Sequence, residues 1–407
     1  MRNMNRTMTA VAGVLAVGAS CALAQDWPQW RGANRDAKAS GFTAPKTWPK
    51  ELTQKWKVPV GLGDATPALV GDKLYVFARQ GEDEVIRCLN AADGKELWQE
   101  KYAAQAVSGP AAQHSGPRSS PSVADGKIVT LGVGGIVSCV DAAKGKMLWH
   151  KDDFSGTWPR FYTSSSPIIV GGLGIAQLGG ESNGGIVAYD LATGDQKWKW
   201  TGDGTAYASP VLLTVDGTKM VVALTAKMIV GLGVADGKLL WEAPFPAQGR
   251  AYNAATPIVD GQTVFYAGSG RGTKAVKIEK TADGFAAKEL WSNPDNAVQF
   301  NSPVLKGGQI YGLSQKGTIF CLDAKDGKTL WTTELGGGGY GSVVDAGSVL
   351  LALTPEGDLT VFEPSDKEYK KVASYKVSDN KTYAYPVAAG KGLFVKEKDS
   401  LTLWTVD

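Results

Sequence analysis

Histidine, cysteine and carboxylate side chains are the residues with which this 407-residue chain could do chemistry, and they are sparsely placed. There are two histidines, His114 and His150, too few for a histidine-rich metal site. A Ser–His–Asp arrangement would need His114, which lies in the loop-like insertion "QAVSGPAAQHSGPRSSP", and no GxSxG elbow accompanies it. His150 directly follows a tryptophan in a strand-like run and reads as a strand-surface residue. No phosphate-cradling glycine loop and no CxxC pair is present. Glu181 and Asn183, in "GGESNGG", could be offered to Ca²⁺, which takes six to eight oxygens; a glycine-rich hairpin turn is the plainer reading. Cys88, Cys139 and Cys321 each lie ten residues before a tryptophan, and the same slot holds Ala188 and Gly231 elsewhere. A position that accepts Cys, Ala or Gly is a small buried strand position, not a redox centre. Of the chain's four cysteines, Cys21 falls in the segment read below as a signal peptide, and the odd number left after its removal argues against a disulfide framework.

The elements that must position these residues are repeats. "CLNAADGKELW" (88–98), "CVDAAKGKMLW" (139–149) and "CLDAKDGKTLW" (321–331) are near copies. Trp98, Trp149, Trp198, Trp241 and Trp331 each follow a glycine by four residues, and Trp291 ends a longer version, "EKTADGFAAKELW". Upstream of each tryptophan a small residue plus proline opens an apolar run, as in "SSPIIV" (165–170) and "NSPVLK" (301–306). A weaker copy has Tyr375 in the Trp slot, and an eighth begins at "AYPVAAG". The spacing averages about 46 residues, in the range of propeller blades.

Each unit reads as four strands. The proline run is the innermost, with proline at its start, where no ladder donor is lost. A polar turn, an alternating second strand, a third strand and the "DAAKGK" turn lead to the tryptophan-bearing fourth strand. The blade tryptophans, Trp56, Trp98, Trp149, Trp198, Trp241, Trp291 and Trp331, are expected to fill the wedges between neighbouring blades. The last repeat has room for three strands, and "LTQKWKVPV" (52–60), with Trp56, can supply its fourth and close the ring. The expectation is an all-β, eight-bladed propeller of four-stranded antiparallel blades over 52–407.

The first 24 residues read as a signal peptide. Arg2 and Arg6 precede an apolar run from Ala10 to Leu23, and "ALA" before Gln25 suits cleavage after Ala24. Lipidation at Cys21 is the rival reading, with Gly18 where a lipobox carries Leu or Val. No later stretch is apolar enough to span a membrane. The net charge of +3, of which Arg2 and Arg6 carry two, gives no nucleic-acid footprint, and "KEYKK" reads as a solvated hairpin face.

With these copies in view, the chain resembles the PQQ-like (pyrroloquinoline quinone) repeat family of β-propellers, for which "DAxxGKxLW" is the specific mark. The resemblance spans 52–407. "DWPQWRG" (26–32) resembles the mature N-terminus of exported members and suggests that 25–51 forms an extension packed on the propeller through Trp27 and Trp30. The resemblance has two branches. One, similar to the outer membrane β-barrel assembly factor B, implies a non-catalytic scaffold that binds envelope or secreted proteins, without cofactor. The more distant branch, the quinoprotein alcohol dehydrogenases, implies pyrroloquinoline quinone and Ca²⁺ on the axis and oxidation of alcohols or sugars. Its adjacent cysteine pair and acid cluster have no counterpart here, and no residue carries a catalytic, cofactor or metal role across.

Three residues before each proline slot the copies diverge, reading Asp64, Arg118, Ser164, Tyr207, Ala254, Phe300, Tyr340 and Tyr383. Arg160, Tyr162, Arg250, Tyr252, Asn253 and Asn301 lie close by. A funnel mouth of Tyr, Arg and Asn suits partner recognition, since aromatics and Arg dominate hot spots. The alternative is that these residues plug the channel and bond one another. The expectation is a periplasmic or secreted, monomeric binding protein, with the quinoprotein reading kept open.

Overall fold

The tryptophan repeat turns out to join each blade to the next. The computed structural model describes residues 26–407 apart from 248, 250 and 337–339; the signal-peptide and Cys21 readings, and Arg250, lie outside the described residues. Eight four-stranded antiparallel sheets form a ring. Seven are contiguous, at 68–103, 122–151, 168–200, 211–244, 258–293, 304–334 and 342–376. The eighth takes three strands from 387–405 and its outer strand from Thr53–Pro59, which pairs antiparallel with Ser400–Thr405. Both chain ends therefore share one blade, as the sequence suggests.

In blades 1–6 the tryptophan faces the small slot of the third strand: Cys88 opposite Trp98, Cys139 opposite Trp149, Ala188 opposite Trp198, Gly231 opposite Trp241, Ala275 opposite Trp291 and Cys321 opposite Trp331. A β-bulge after each of these pairs skips one residue of the outer strand, turning the indole toward the neighbouring blade. Cys88, Cys139 and Cys321 are free and fully buried, and burial pushes their thiols up, Cys88 to about 11 and Cys139 and Cys321 to about 12. Trp56 occupies the equivalent place in blade 8, opposite Leu403. In blade 7 the register puts Ala373, opposite Val361, in the tryptophan slot, so the Tyr375 assignment is corrected by two residues. Tyr375 instead donates its hydroxyl to Pro49 O at 2.7 Å and packs against Trp48.

The glycine four residues before each tryptophan serves the preceding blade. Gly94, Gly145, Gly194, Gly237 and Gly327 lie against Trp56, Trp98, Trp149, Trp198 and Trp291. Four of those indoles also donate N–H to the carbonyl three residues before the glycine: Trp56 to Ala91, Trp149 to Leu191, Trp198 to Val234 and Trp291 to Ala324, at 2.9–3.2 Å. Asp or Asn side chains bond the following amides and hold the turns, as Asp141 Oδ1 does for Ala143 and Lys144. Trp241 departs from the pattern. Gly231 leaves space beneath it, its N–H meets Met220 Sδ at 3.0 Å, and the next blade offers the long hairpin Gly272–Thr281 and Gly284–Asn293 instead of a seat.

At the axis the small residue before each proline is a hydroxyl that stitches neighbouring blades. Thr66 N–H donates to Ser120 Oγ, Ser120 N–H to Ser166 Oγ, Ser166 N–H to Ser209 Oγ and Thr256 N–H to Ser302 Oγ, at 2.8–3.1 Å. Tyr385 N–H closes onto Thr66 Oγ1, and its own hydroxyl takes the Ser302 N–H across blade 7.

Gly126 and Gly145 share a left-handed φ, +69° and +68°, but a Cβ on Gly126 meets nothing while one on Gly145 falls 2.4 Å from Trp98. Gly126→Ala should cost about 1 kcal/mol, the backbone penalty alone. Gly145→Ala should cost about 2–4 kcal/mol because it also displaces the indole. Urea unfolding of the two variants compares them directly, and equal losses would dismiss the inter-blade seat as a determinant of stability.

Candidate functional site

Antiparallel blades put the turns joining strands one to two and three to four on one face. The blade-to-blade connections and the two-to-three turns fall on the other. The first face is closed at the axis by 26–43. Asp26 caps the Gly71 amide, Trp27 exchanges backbone bonds with Leu69, and Ala39 and Thr43 donate to Asp345 O and Gly390 O. Trp27 is buried, and Trp30 donates to Thr256 Oγ1 at 2.8 Å. Two arginines of this segment enter the ring. Arg31 is 0% exposed and donates to Pro303 O at 2.6 Å and to the Tyr385 hydroxyl. Arg35 is 2% exposed and donates to Ser166 O, Pro167 O, Pro210 O and Gln29 Oε1; burial lowers it to about 9. Both hold left-handed φ, a strain of order 1 kcal/mol each that these buried bonds offset. Nothing in the residue types of "RGANR" announced this axial role.

The second face carries the candidate mouth residues, all on blade-to-blade connections. Asp64, Arg118, Ser164, Tyr207, Ala254, Phe300, Tyr340 and Tyr383 are each exposed or half-exposed, with Phe300 at 48%. Tyr252 meets Phe161 and Tyr207 edge to face at 5.0 and 5.6 Å, Phe161 and Tyr207 lie tilted at 6.4 Å, and exposed Arg160 lies over the Phe161 ring. Phe300 packs on Tyr340 at 4.7 Å, and His114 meets Tyr383 edge-on at 5.1 Å. Glu181 and Asn183 line a cleft of about 320 Å³ beside Trp158 and Arg160. Glu181 Oε1 accepts the Arg160 N–H and the Tyr207 hydroxyl, each at 3.3 Å, so the glycine-rich turn leans on the mouth.

Three candidates are buried and act as scaffolding. Tyr162, at a left-handed φ, stacks on Trp158 and accepts the Ser108 N–H. Asn253 donates to Thr225 O and Phe245 O and accepts from Arg271, while Asn301 donates to Leu313 O at 2.6 Å. Two features were not legible in the sequence. His114 Nδ1 lies 2.7 Å from Asp64 Oδ2, joining an insertion in one connection to the mouth residue of another. Lys396, 1% exposed, donates to Gly61 O, Gly63 O, Glu397 O and Lys398 O and fixes the loop that carries Asp64. Arg118 has Nε and Nη2 buried without a hydrogen-bond partner, and burial lowers its pKa while Asp64, Tyr207 and Tyr162 oppose the shift. Among the described residues no group of three or more His, Cys, Asp and Glu could hold a metal ion.

A family model described as outer membrane protein assembly factor BamB matches residues 46–201 and 82–333. The chain belongs to this family. A curated BamB, from Burkholderia pseudomallei, is 25% identical over 366 residues, 86% of either chain. The structure of BamB from Moraxella catarrhalis superposes with a TM-score of 0.64 at 15% identity, covering 87% of this chain and 99% of that one. Quinohemoprotein alcohol dehydrogenase from Comamonas testosteroni superposes with a TM-score of 0.72, also at 15% identity, over 94% and 80%. The BamB-family ring is thus shared with an enzyme fold, and the contents of the mouth must decide between them.

The Lys396 cage predicts a pH signature. Burial lowers its folded pKa to about 8, against the favourable fields of Asp64, Asp399 and Glu397. The folded protein therefore loses this proton before the unfolded chain does, and stability should rise between pH 8 and the ordinary lysine range by roughly 1–3 kcal/mol. Lys396→Met has no proton to lose. Unfolding curves across pH 8–10 should slope upward in the wild type relative to this variant, and parallel curves would show that Lys396 does not titrate there.

Proposed function

We propose that this protein is a non-catalytic scaffold of the cell envelope that serves outer-membrane protein assembly, docking partner proteins on the open mouth of its ring. The carrying observation is the asymmetry of the two faces. One is sealed by 26–43, whereas the other presents the rings of Phe161, Tyr207, Tyr252, Phe300 and Tyr340 beside Arg160. Aromatic and Arg side chains on a rigid frame are the usual anchors of protein interfaces. The family match and the BamB relatives support the envelope assembly setting. Export by the N-terminal 24 residues to the periplasm or beyond belongs to the same reading.

We read the protein as working without pyrroloquinoline quinone or Ca²⁺. The donors present do not fit that pair. Cys88, Cys139 and Cys321 sit in three different blades, Asp64 is bonded to His114 and Glu181 to Tyr207, and among the described residues no group of acidic side chains converges to supply the oxygens that Ca²⁺ requires.

A photo-crosslinking residue placed at Phe300 should capture a protein of the outer-membrane assembly machinery in cells. The same residue at Lys144, on the sealed face, should not. Tyr207→Ala with Tyr252→Ala should weaken that complex at least about tenfold. Equal capture from both faces would move the docking surface elsewhere. For the mature protein, a thermal melt with the quinone and Ca²⁺ should leave the midpoint unchanged; a ligand at a hundred times its dissociation constant adds about 2.7 kcal/mol, so a clear upward shift would reinstate the oxidoreductase reading.

A further inference from the structure

The mouth contains an unsatisfied cation. Arg118 reaches in from the connection between blades 1 and 2, and its Nε and Nη2 are shielded from solvent without an acceptor. The nearest acid, Asp64, supports it through space, but that carboxylate is committed to His114 at 2.7 Å. Buried guanidinium donors without partners are expensive and persist where something else completes them. Lys396 lies buried beside the Asp64 loop, and Arg31 and Arg35 fill the ring from the sealed face. Arg31 and Arg35 are held by carbonyl or neutral polar oxygens, so their charge is solvated without being neutralised, whereas Lys396, held by four carbonyls, also feels Asp64, Asp399 and Glu397. The throat therefore carries several cations in a poorly hydrated place, only partly offset by Asp64, Asp399 and Glu397, and their field there is strong. Above it, the rim is aromatic.

We propose that the mouth receives a carboxylate on Arg118, presented by an acidic side chain that lies between apolar residues of a partner protein. This rests on the scaffold reading and names the chemistry of its partner. Arg118 is half-exposed, so the carboxylate meets the guanidinium on its open side, where a charge-assisted hydrogen bond adds attraction to the already unsatisfied cation. The flanking apolar side chains pack on the rings of Phe161, Tyr252 and Phe300. A protein segment fits better than a small free acid because the cation and the aromatic rim must be engaged together. Asp64 acts as a built-in competitor that tempers the site through its own negative charge.

The test uses two N-acetylated, C-amidated tripeptides, glutamate between two phenylalanines and the same with glutamine. Binding to the mature protein is followed on the guanidinium Nε–H signal of Arg118 and on backbone amides of the mouth. The glutamate peptide should bind at least about tenfold tighter than its neutral counterpart and shift the Arg118 signal. Arg118→Gln should erase the preference, while Asp64→Asn, which removes the competitor, should raise affinity about two- to fivefold. The second variant carries the test even where Arg118→Gln folds poorly. Equal binding of the two peptides, a preference that survives Arg118→Gln, or no binding of either up to about 10 mM would overturn the proposal. Equal binding that disappears in Tyr252→Ala would sink the carboxylate alone and leave the docking face standing. Binding of neither peptide together with a melt shifted by the quinone would sink both readings.

Discussion

Five of the eight seams of this ring depend on an indole of one blade lying on a glycine of the next. The contact works because two requirements meet in one residue. The turn needs a left-handed φ, and the neighbouring tryptophan needs the space a Cβ would take. The indole covers the hydrophobic wedge and spends its N–H on the carbonyl that opens the same turn, so little polar surface is buried unpaired. Trp98 is the variation: Tyr75 lies within hydrogen-bonding distance of the Ala142 carbonyl and the indole N–H goes without. Where the seat is absent, other aromatics fill the seam. Trp331 meets Tyr369 and Ser365 O, and Trp48 from the N-terminal segment packs on Tyr375 where blade 7 has only Ala373.

The same economy governs the axis. Eight inner strands converge there, and their first amides would face one another unpaired. The hydroxyls of Ser120, Ser166, Ser209 and Ser302 accept the amide of the preceding blade, that of Thr256 takes the Trp30 indole N–H instead, and Tyr385 spans blade 7, which lacks both proline and a partnered hydroxyl. The carbonyls left over point inward, and Arg31 and Arg35 collect those of Ser166, Pro167, Pro210 and Pro303. Guanidinium suits this task because its donors fan out in a plane and keep their charge even at the lowered pKa of Arg35. One end of the channel is thereby fixed by backbone chemistry, and only the other is free to vary.

That division explains what could be read from the chain. Strand count, closure by Thr53–Pro59 and the burial of the cysteines all follow from repeated spacing, because architecture recurs and recurrence is visible. The placement of the mouth residues on one face was legible for the same reason: a fixed offset from the proline is a fixed height on the axis. The cross-blade partners were not. Trp98 and Gly145 lie in different repeats, so the interval between glycine and tryptophan within one repeat does not reveal the contact. The hydroxyl belt hid behind the description of its members as merely small. His114 with Asp64, and the burial of Tyr162, Asn253 and Asn301, depend on the paths of long connections and on a left-handed Tyr162, which no periodicity encodes.

The occupied axis also bears on why one fold serves two such different ends. A ring that buries a reactive cofactor needs a deep, empty throat with converging oxygen donors. Here the inner layer of that throat is taken by the two arginines rising from the sealed face, and the side chains left at the mouth are aromatic, cationic and already bonded in their acidic members. Rigid rings around a charged centre are suited to holding a protruding side chain of a folded partner and rejecting one of the wrong charge. Blades that share most of their structural positions and diverge at the rim are suited to that task, because the rim can change without disturbing the tryptophan seats or the hydroxyl belt that keep the ring closed.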